Sequence, residues 1–503
     1  MIMSYLLGID VGTTAVKCVL FDLRGKVVAS GRTEYTLTMP KPGFVEVEAE
    51  TYWNAFKESL GKVLSISKID AEEILGVSVS SQGESFVILD KDGDPLSRVI
   101  VWLDNRSEEE AQIIKREFGV DEVYRITGQN DIISTWTATK MLWLKRNQPA
   151  VFEKAHKFLL LEDYFIYRLS GKFITDYSIV SSSLLFDISH KRWWNDILSF
   201  IGLDEDNLPE LKPSGVLVGD IGEKVAKETG LCKHTMVSTG AYDQAASALG
   251  VGNIEPGVIS ETTGAALAIV ATVDKMVLDP MRRMPCHCHA APGKYFLQPW
   301  CHTAGVILKW FRDNFGHVEI EAANKMGLDP YDLLTLEAAQ APPGSDGLIL
   351  LPHFMGAASP ESDPKAKGVL FGLTLYHSKG HVIRAIMESV AYMLRRNIET
   401  LGEIGVEIRE VRSCGGAARS PLWNQIKADV LQKPVLTIHT EETSALGAAM
   451  LAGLATKTFG SLEAAGSMIS IKDRKDSLKD NKAIYEKQYK TYMALYERIK
   501  ELF

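Results

Sequence analysis

A loop that joins two short apolar runs near the start of the chain carries residue types suited to phosphate. Its sequence is Asp10-x-Gly12-Thr13-Thr14, and Lys17 follows three residues later. Gly12 allows a ligand to approach the backbone, and the two threonines offer hydroxyl and N–H donors to anionic oxygens. A carboxylate at a strand end, such as Asp10, is suited to Mg²⁺, which usually keeps several of its waters. A plain hairpin turn with Asx hydrogen bonding would account for the same residues.

A second candidate is an aspartate that follows the predicted strand over residues 235–238. The sequence there is Thr239-Gly-Ala-Tyr-Asp243-Gln244. An aspartate in this position could act as a general base, which phosphoryl transfer to an alcohol requires for the hydroxyl proton. The alternative is that Asp243 only caps the following helix.

A third loop, SCGGAARSP over residues 413–421, follows another predicted strand. Its small residues leave room for a flat base, and the helix that starts near Pro421 offers free N–H groups. Close packing of that helix would explain the glycines equally well.

The segment Pro285-Cys286-His287-Cys288-His289 invites comparison with a zinc site. Strand alternation places the two cysteines on one face and the two histidines on the other, which is poor geometry for four ligands of one metal. We therefore interpret it as a strand with incidental Cys and His residues.

The elements that position these residues follow from the apolar spacing. The opening predicts three short strands, over residues 5–9, 16–21 and 27–30, and a four-residue apolar period predicts a helix over 49–66. Near residue 250 the pattern partly restarts, with a small-residue turn over 257–264 followed by a strand over 266–270. This echo predicts two related halves.

Further elements are predicted toward the end of the chain. They are strands over 406–413 and 434–438, helices over 421–431 and 444–454 (the latter capped by Thr443 or Ser444), a solvated connection over 471–482, and an amphipathic helix over 485–502.

Composition excludes several classes of protein. The 503 residues carry 55 basic and 64 acidic side chains, a net charge of −9, whereas a nucleic-acid binder that neutralises phosphates normally has a basic excess. No P-loop and no dinucleotide-binding fingerprint is present. No basic leader region, no apolar stretch long enough to span a membrane, and only six cysteines are found, so we expect a reduced, cytoplasmic protein without nucleic-acid or membrane partners.

Together the loops resemble the motifs of the FGGY carbohydrate kinases, in the superfamily of actin, hexokinase and the heat-shock chaperone ATPases. The resemblance runs nearly end to end. It rests on LLGIDVGTTAVKCVLFD (6–22), TGAYDQAASALG (239–250), GVISETTGAALAI (257–269), SCGGAARSPLWNQIKADVLQKPV (413–435) and TSALGAAMLAGLA (443–455), and on the family-defining stretches 137–147 and 347–389.

The resemblance implies an α/β fold of two actin-like (ribonuclease H-like) ATPase domains with a cleft between them. Residues 1–252 would form the sugar-binding and first phosphate domain, and residues 253–503 the second phosphate and adenosine-binding domain. It also implies ATP and Mg²⁺, with Asp243 as the catalytic base and Asp10 as the metal-organising residue. The nucleotide-binding residues would be Gly12, Thr13, Thr14, Lys17, Thr262, Thr263, Gly264, Gly415, Gly416, Ala417 and Ser420.

One departure from the family pattern concerns the second phosphate loop. Gly264 is followed by Ala265 and Ala266, where the family typically has Thr or Ser. We expect a weakened phosphate contact rather than lost activity, because one neutral hydrogen bond contributes about 0.5–1.5 kcal/mol.

The acceptor side, by the same resemblance, consists of Gln82, Glu84, Trp102, Asp104, Arg106, Asp243 and Gln244. Glycerol kinases share the Glu and the second Gln, but carry Arg where this chain has Gly83 and Tyr where we align Thr135. Xylulokinases usually have Met-His at positions 83 and 84. The segment Trp102-Leu-Asp-Asn-Arg106 is more similar to the xylulokinase and gluconokinase branches.

A ketose, with xylulose first, is therefore the predicted acceptor. Glycerol, a tetritol or an aldonate such as gluconate are the alternatives within the family. From other classes, an actin-like or chaperone-like ATPase without a sugar acceptor, or an inactive sugar-binding regulator, stays open. A homodimer is also considered.

Overall fold

The computed structural model describes residues 4–503. Residues 1–3, which are part of the segment predicted to lack a leader, lie outside the described residues. The strands, in chain order, are β1 (Tyr5–Val11), β2 (Ala15–Asp22), β3 (Val27–Glu34), β4 (Glu46–Val47), β5 (Ile74–Ser81), β6 (Phe86–Leu89), β7 (Val99–Ile100), β8 (Lys157–Leu160), β9 (Ile174–Asp176), β10 (Phe186–Asp187), β11 (Arg192–Trp193), β12 (Glu210–Lys212), β13 (Leu217–Asp220), β14 (Met236–Ser238), β15 (Ala241–Tyr242), β16 (Val258–Thr263), β17 (Leu267–Val273), β18 (Cys286–Cys288), β19 (Tyr295–Leu297), β20 (Trp300–Cys301), β21 (Ile349–Leu351), β22 (Val369–Phe371), β23 (Glu410–Cys414), β24 (Val435–Ile438) and β25 (Ile471–Lys475).

The α-helices, in chain order, are α1 (Ala49–Ser67), α2 (Glu108–Phe118), α3 (Val120–Thr127), α4 (Thr137–Asn147), α5 (Pro149–Lys154), α6 (Leu161–Ser170), α7 (Tyr177–Val180), α8 (Asn195–Ile201), α9 (Glu223–Thr229), α10 (Asp243–Gly250), α11 (Gly305–Phe315), α12 (His317–Met326), α13 (Pro330–Gln340), α14 (Lys379–Glu403), α15 (Pro421–Leu431), α16 (Thr443–Ala455), α17 (Leu462–Ala465) and α18 (Lys479–Ile499).

The chain forms two compact units. Unit 1 runs up to Ile254 and takes in Val273–Phe296 and Glu442–Ser470, whereas unit 2 comprises Glu255–Thr272, Leu297–Glu441 and Ile471–Phe503. This division differs from the predicted split into 1–252 and 253–503. The physical reason lies in α16, which packs against β1, β5 and α10 and so belongs to the core of unit 1.

The main sheet of unit 1 has the strand order β13-β14-β5-β1-β2-β3, with β15 also paired to β5. β1 runs antiparallel to β2 and parallel to β5. Helix α1 covers β2 and β3, and α16 covers β1 and β5. A strand covered on both faces is a near-continuous apolar run, which explains why YLLGIDV is buried along almost its whole length.

Unit 2 repeats the same arrangement. β16 runs antiparallel to β17 and parallel to β23, and β23 continues in parallel to β24. The equivalence of the β1–β2 and β16–β17 hairpins supports the predicted relationship between the two halves. In the described part of unit 1 the main sheet has seven strands, the six in the order β13-β14-β5-β1-β2-β3 and β15.

Most predicted elements are present, and the differences have local causes. The predicted turn over 257–264 is mainly strand, since β16 extends to Thr263 and only residues 264–266 turn. Thr443 and Ser444 lie inside α16 rather than capping it, and Glu442 occupies the cap position. The predicted solvated connection over 471–482 is wrong, because β25 pairs with β24 at the sheet edge and α18 begins at Lys479. An edge strand tolerates charged side chains, which is why its sequence reads as a loop.

Within residues 4–503, no helix combines the length and the apolar character needed to cross a bilayer.

Glycines bring α10 and α16 into close contact. A Cβ added at Gly447 would lie 1.9 Å from the carbonyl oxygen of Ala246, and one at Gly250 would lie 2.0 Å from that of Thr443. A Cβ added at Gly8 of β1 would lie 1.9 Å from the carbonyl oxygen of Ala445 in α16. These contacts are with backbone atoms, so the sheet and both helices would have to shift to admit a side chain.

We predict that Gly447→Ala lowers the free energy of unfolding by about 1–3 kcal/mol or more, because overpacking outweighs the gain in helix propensity. Chemical denaturation measures the effect. Gly61→Ala is the matched control, since a Cβ at exposed Gly61 of α1 meets no atom within 4 Å among the described residues. An equal response of the two variants would contradict the prediction.

Candidate functional site

The first phosphate loop joins β1 and β2 in unit 1. Gly12 and Thr13 are partly exposed and Thr14 is exposed, so donors of this loop are accessible. The hydroxyl of Tyr35 donates to the carbonyl oxygen of Gly12, and the indole N–H of Trp102 donates to Thr13 Oγ1 at 2.9 Å. The loop that the resemblance assigns to phosphate therefore touches a residue that it assigns to the acceptor.

Lys17 is placed differently from the expectation for a phosphate ligand. Its Nζ forms an ion pair of 2.7 Å with Glu442, the residue before α16. Lys17 also lies opposite Asp10 in the β1–β2 register. Desolvation raises the pKa of Asp10 to about 6; the charge of Lys17 opposes this rise and that of Glu442 adds to it.

Asp243 is the first residue of α10, and Tyr242 occupies the N-cap position. The alternative of a simple capping aspartate is therefore wrong. Oδ1 of Asp243 is buried and has no hydrogen-bond partner within residues 4–503. Desolvation raises the pKa of Asp243 to about 8, with further increases from the charges of Asp10 and Glu84 and a decrease from hydrogen bonds of Gln244. The surroundings of Asp243 therefore favour the protonated form of its carboxyl group.

Buried acids hold the backbone just before Asp243. Oε1 of Glu162 accepts from the N–H of Gly240 at 2.8 Å, and the hydroxyl of Ser178 accepts from the N–H of Tyr242 at 3.0 Å. Asp176 in turn accepts from the Ser178 hydroxyl at 2.6 Å. Sequence reasoning missed this support, although acids inside the apolar segment LLLEDYFIYRL were a signal that they have buried partners.

Gln82 lies behind the first phosphate loop. It is buried, and its Nε2 donates to the hydroxyl of Tyr52 at 3.1 Å, while Tyr52 packs edge-to-face on Tyr35. Gln82 Oε1 has no hydrogen-bond partner among the described residues. The two tyrosines therefore connect the predicted acceptor residue Gln82 to Gly12, and neither was recognised from the sequence.

Glu84 and Lys140 are both buried and interact electrostatically. Glu84 has a φ of 58°, a conformation unusual for a residue with a side chain, and its carbonyl oxygen accepts from Thr137. Burial raises the pKa of Glu84, while the charge of Lys140 opposes that rise. Lys140 also donates to the carbonyl oxygens of Val101 and Trp102, at 3.1 and 3.3 Å, and thus fixes the start of the 102–106 segment.

Asp104 and Arg106 are occupied with each other. Arg106 donates to both carboxylate oxygens of Asp104 at 2.8 Å and to Glu46 at 2.6 Å, and its side chain is 2% exposed. The guanidinium lies 4.0 Å from the ring centroid of Phe44 and is also close to Trp143. The pair therefore braces the loop that carries Trp102, with Nε and Nη2 of Arg106 bonded to acids of the protein itself.

In unit 2, the second phosphate loop follows β16. The hydroxyl of Thr263 is buried and donates to Glu261 at 2.6 Å, and Glu261 forms a fully buried ion pair with Lys427 at 2.5 Å. Thr262 is partly exposed and lies 3.2 Å from the sulfur of Cys414. Gly264 has open space around it, so backbone groups and Thr262 are the accessible donors here.

The third loop, also in unit 2, leads into α15. Gly415 has a φ of 79°, and a Cβ there would lie 3.0 Å from the carbonyl oxygen of Thr263. Gly415 and Gly416 are exposed, whereas Ala417 is buried. Ser420 caps α15 by accepting from the N–H of Trp423 at 3.2 Å. The glycines therefore leave backbone accessible, and Ser420 has a structural partner.

Two models of one protein family together match nearly the whole chain. The model of the FGGY family of carbohydrate kinases, N-terminal domain, matches residues 5–250, and that of the C-terminal domain matches residues 262–456. Among curated relatives, the xylulose kinase of Bacillus subtilis (strain 168) is 32% identical over 99% of this chain and 97% of its own length. The gluconokinase of the same organism is 32% identical over 99% and 96%. A glycerol kinase of Thermococcus gammatolerans is 32% identical over 91% and 90%.

Solved structures of sugar kinases are also similar to this chain over nearly its whole length. A ligand-bound xylulose kinase and a gluconate kinase, both from Lactobacillus acidophilus, each give a TM-score of 0.89 at 28% identity, covering 99% of this chain and 98% of theirs. These similarities confirm the predicted α/β class with two actin-like ATPase domains.

We predict that Asp243→Asn stabilises the ligand-free protein more at pH 8 than at pH 5. A raised carboxyl pKa favours folding below the unfolded pKa near 4, and that contribution is lost as pH rises toward 8, by at most about 1.4 kcal/mol per pH unit. Asparagine has no charge to desolvate. Urea unfolding of both proteins at the two pH values measures the difference, and a gain independent of pH would contradict the assigned burial.

We also predict that Glu162→Gln is tolerated, whereas Glu162→Leu is not. Burial, together with the nearby charge of Asp176, raises the pKa of Glu162 well above its ordinary value and so favours the uncharged form, which Gln resembles. Gln keeps an oxygen for the N–H of Gly240, and Leu leaves that group unpaired at a cost of about 1–3 kcal/mol. Thermal unfolding and kcat report the outcome. Equal losses in both variants would show that the charge of Glu162, rather than its acceptor atom, is needed.

Proposed function

The chain belongs to the FGGY family of carbohydrate kinases, and we propose that its acceptor is a five-carbon ketose, with xylulose as the first candidate. The protein is an ATP-dependent sugar kinase, a phosphotransferase with an alcohol group as acceptor. Family membership decides between this activity and the ATPase without an acceptor that the motifs left open.

The observation that carries the proposed mechanism is the buried Oδ1 of Asp243, which has no partner within residues 4–503. We propose that this oxygen accepts the proton of the sugar hydroxyl as that hydroxyl attacks the γ-phosphorus of ATP. A weak base suffices, because a loose transition state needs the proton to leave only late. The raised pKa of Asp243 brings it closer to that of an effective base near neutral pH.

The acids of unit 1 fit a divalent cation. The charges of Asp10 and Glu84 raise the pKa of Asp243, and a cation beside Asp10 would relieve this repulsion. Mg²⁺ in kinases needs only one or two carboxylates, with phosphates and waters as further ligands. When bound, it would neutralise charge on the phosphates. The residues Gly12, Thr13 and Thr14 in unit 1, and Thr262, Gly264, Gly415 and Gly416 in unit 2, are the proposed nucleotide contacts.

The surroundings of Gly83 favour a ketose over glycerol. A Cβ at Gly83 would lie 2.8 Å from Ser182 Oγ and 3.1 Å from the ring of Tyr242. The arginine that glycerol kinases carry at this position therefore has no room here, and its contacts to a small triol are lost.

Charge favours a neutral acceptor over gluconate, the second candidate, which the similarity to gluconokinases supports. An aldonate carboxylate needs a free cation. Lys17, Lys140 and Arg106, the cations beside the site, are each placed against acids of the protein itself. A cytoplasmic location and a homodimer stay predictions.

A coupled assay over xylulose, other ketoses, glycerol, erythritol and gluconate tests the acceptor. We expect the highest kcat/KM with a five-carbon ketose, and failure of every ketose would overturn the proposal. Asp243→Asn is the matched inactive variant. It should lose at least about 100-fold in kcat and keep its affinity for ATP, since general-base catalysis contributes about 10²–10⁴-fold. Near-normal turnover would refute the role of Asp243.

A further inference from the structure

We infer that Gln129 and His287 form a second wall of the acceptor pocket in unit 1 and hydrogen-bond hydroxyl groups of an acceptor longer than three carbons. The inference deepens the proposed function and rests on it. Neither residue belongs to a motif that carries the family resemblance.

A continuous run of contacts links the catalytic residue to this wall. Tyr242, which precedes Asp243, lies against Gly83 on one side. Its ring is stacked on that of His287, with centroids 5.9 Å apart and an interplanar angle of 19°. His287 is stacked in turn on Phe296 at 5.0 Å. The imidazole is thus held in one orientation between two aromatic rings.

Gln129 fixes the remaining freedom of His287. Its Nε2 donates to the carbonyl oxygen of Ser181 at 2.6 Å and lies 3.5 Å from His287 Nδ1. Because a carbonyl only accepts, the amide nitrogen must face Ser181, and its second proton is directed at Nδ1. Burial lowers the pKa of His287 to about 3, so the ring is neutral and its one proton is on Nε2.

The backbone around these two side chains is also tied together. The N–H of Cys286 donates to the carbonyl oxygen of Gly128 at 2.8 Å, and the N–H of Cys288 donates to Ser181 Oγ at 3.1 Å. The loop at 128–129, the loop at 181 and β18 therefore form one block. A preformed block of this kind is what precise placement of hydrogen-bonding groups requires.

Two polar atoms of this block are unused. Oε1 of Gln129 and Nε2 of His287 are buried and have no partner among residues 4–503, and the same holds for Gln82 Oε1 and Asp243 Oδ1. An unsatisfied buried polar atom costs about 1–3 kcal/mol, so four along one run of contacts call for a polar ligand.

The chemistry of the two atoms selects the ligand. Gln129 offers an acceptor and His287 offers an N–H donor, and a hydroxyl group is able to serve both, since it donates and accepts. A carboxylate cannot donate a hydrogen bond to Oε1 of Gln129, which only accepts. Because the Tyr242 ring separates Asp243 from His287, a three-carbon acceptor at Asp243 does not reach this wall. The class of ligand is a neutral polyhydroxylated chain of four or more carbons.

His287→Phe tests the inference, because phenylalanine keeps the stack between Tyr242 and Phe296 and removes both ring nitrogens. With the best acceptor of four or more carbons from the panel, we expect KM to rise about 3- to 10-fold, the range of one neutral hydrogen bond. We expect kcat and the KM for ATP to stay within twofold, and the KM or inhibition constant of glycerol to stay unchanged. Gln129→Leu should give the same pattern.

His289→Phe is the matched control. His289 is buried two residues further along and packs edge-to-face on Phe296 rather than on Tyr242. This variant should change thermal stability without changing the ratio of acceptor KM values. A ratio that His287→Phe and Gln129→Leu leave at the wild-type value would overturn the inference, even if both variants melt earlier. If the best acceptor is a four- or six-carbon polyol, the ketose proposal fails, and the KM ratios measured with that polyol decide on the roles of Gln129 and His287. If only glycerol is phosphorylated, the ketose proposal and this inference both fail.

Discussion

Gathering carboxylates in a poorly hydrated place is the constraint on which the site depends. Asp10 ends β1, Glu84 follows β5 and Asp243 starts α10, so the parallel pairing of β1 with β5 brings the acids together. Each is desolvated, and their charges repel. The fold tolerates this arrangement because Lys17 and Lys140 neutralise part of the charge. The site is left with an oxygen that can accept a proton and with too little positive charge. A sugar hydroxyl would provide the proton, and a cation would provide the charge.

The surrounding structure serves to keep that arrangement from relaxing. An aspartate with a raised pKa would lower its energy by turning toward water or a cation, and its backbone must prevent this. Glu162 and Ser178 accept hydrogen bonds from the N–H groups of Gly240 and Tyr242, next to Asp243 in the chain. The close contact of α10 with α16 fixes the helix that Asp243 begins. Holding the acids in this arrangement lowers the stability of the fold, as is common for active sites.

In unit 1, residues predicted to bind the acceptor contact residues predicted to bind phosphate. Trp102 reaches Thr13 through its indole N–H, and Gln82 reaches Gly12 through two tyrosines. Selectivity among acceptors follows from a few neighbouring groups, because a missing or unpaired polar contact discriminates more strongly than a change in apolar volume.

The sequence by itself determined the loops, the hairpins and the long helices, because these depend on residues adjacent in the chain. Apolar spacing, glycine-containing turns and the ordered motifs were enough for the fold class, while the roles of Asp10 and Asp243 stay predictions from the family resemblance. Tertiary structure alone decided which polar groups remain available. Arg106 pairs with Glu46, 60 residues away, and Lys17 pairs with Glu442, 425 residues away. Such pairs depend on packing between distant segments, which spacing does not encode. For the same reason His287, which reads as incidental along its strand, has a defined orientation, because it is stacked on Tyr242 and Phe296.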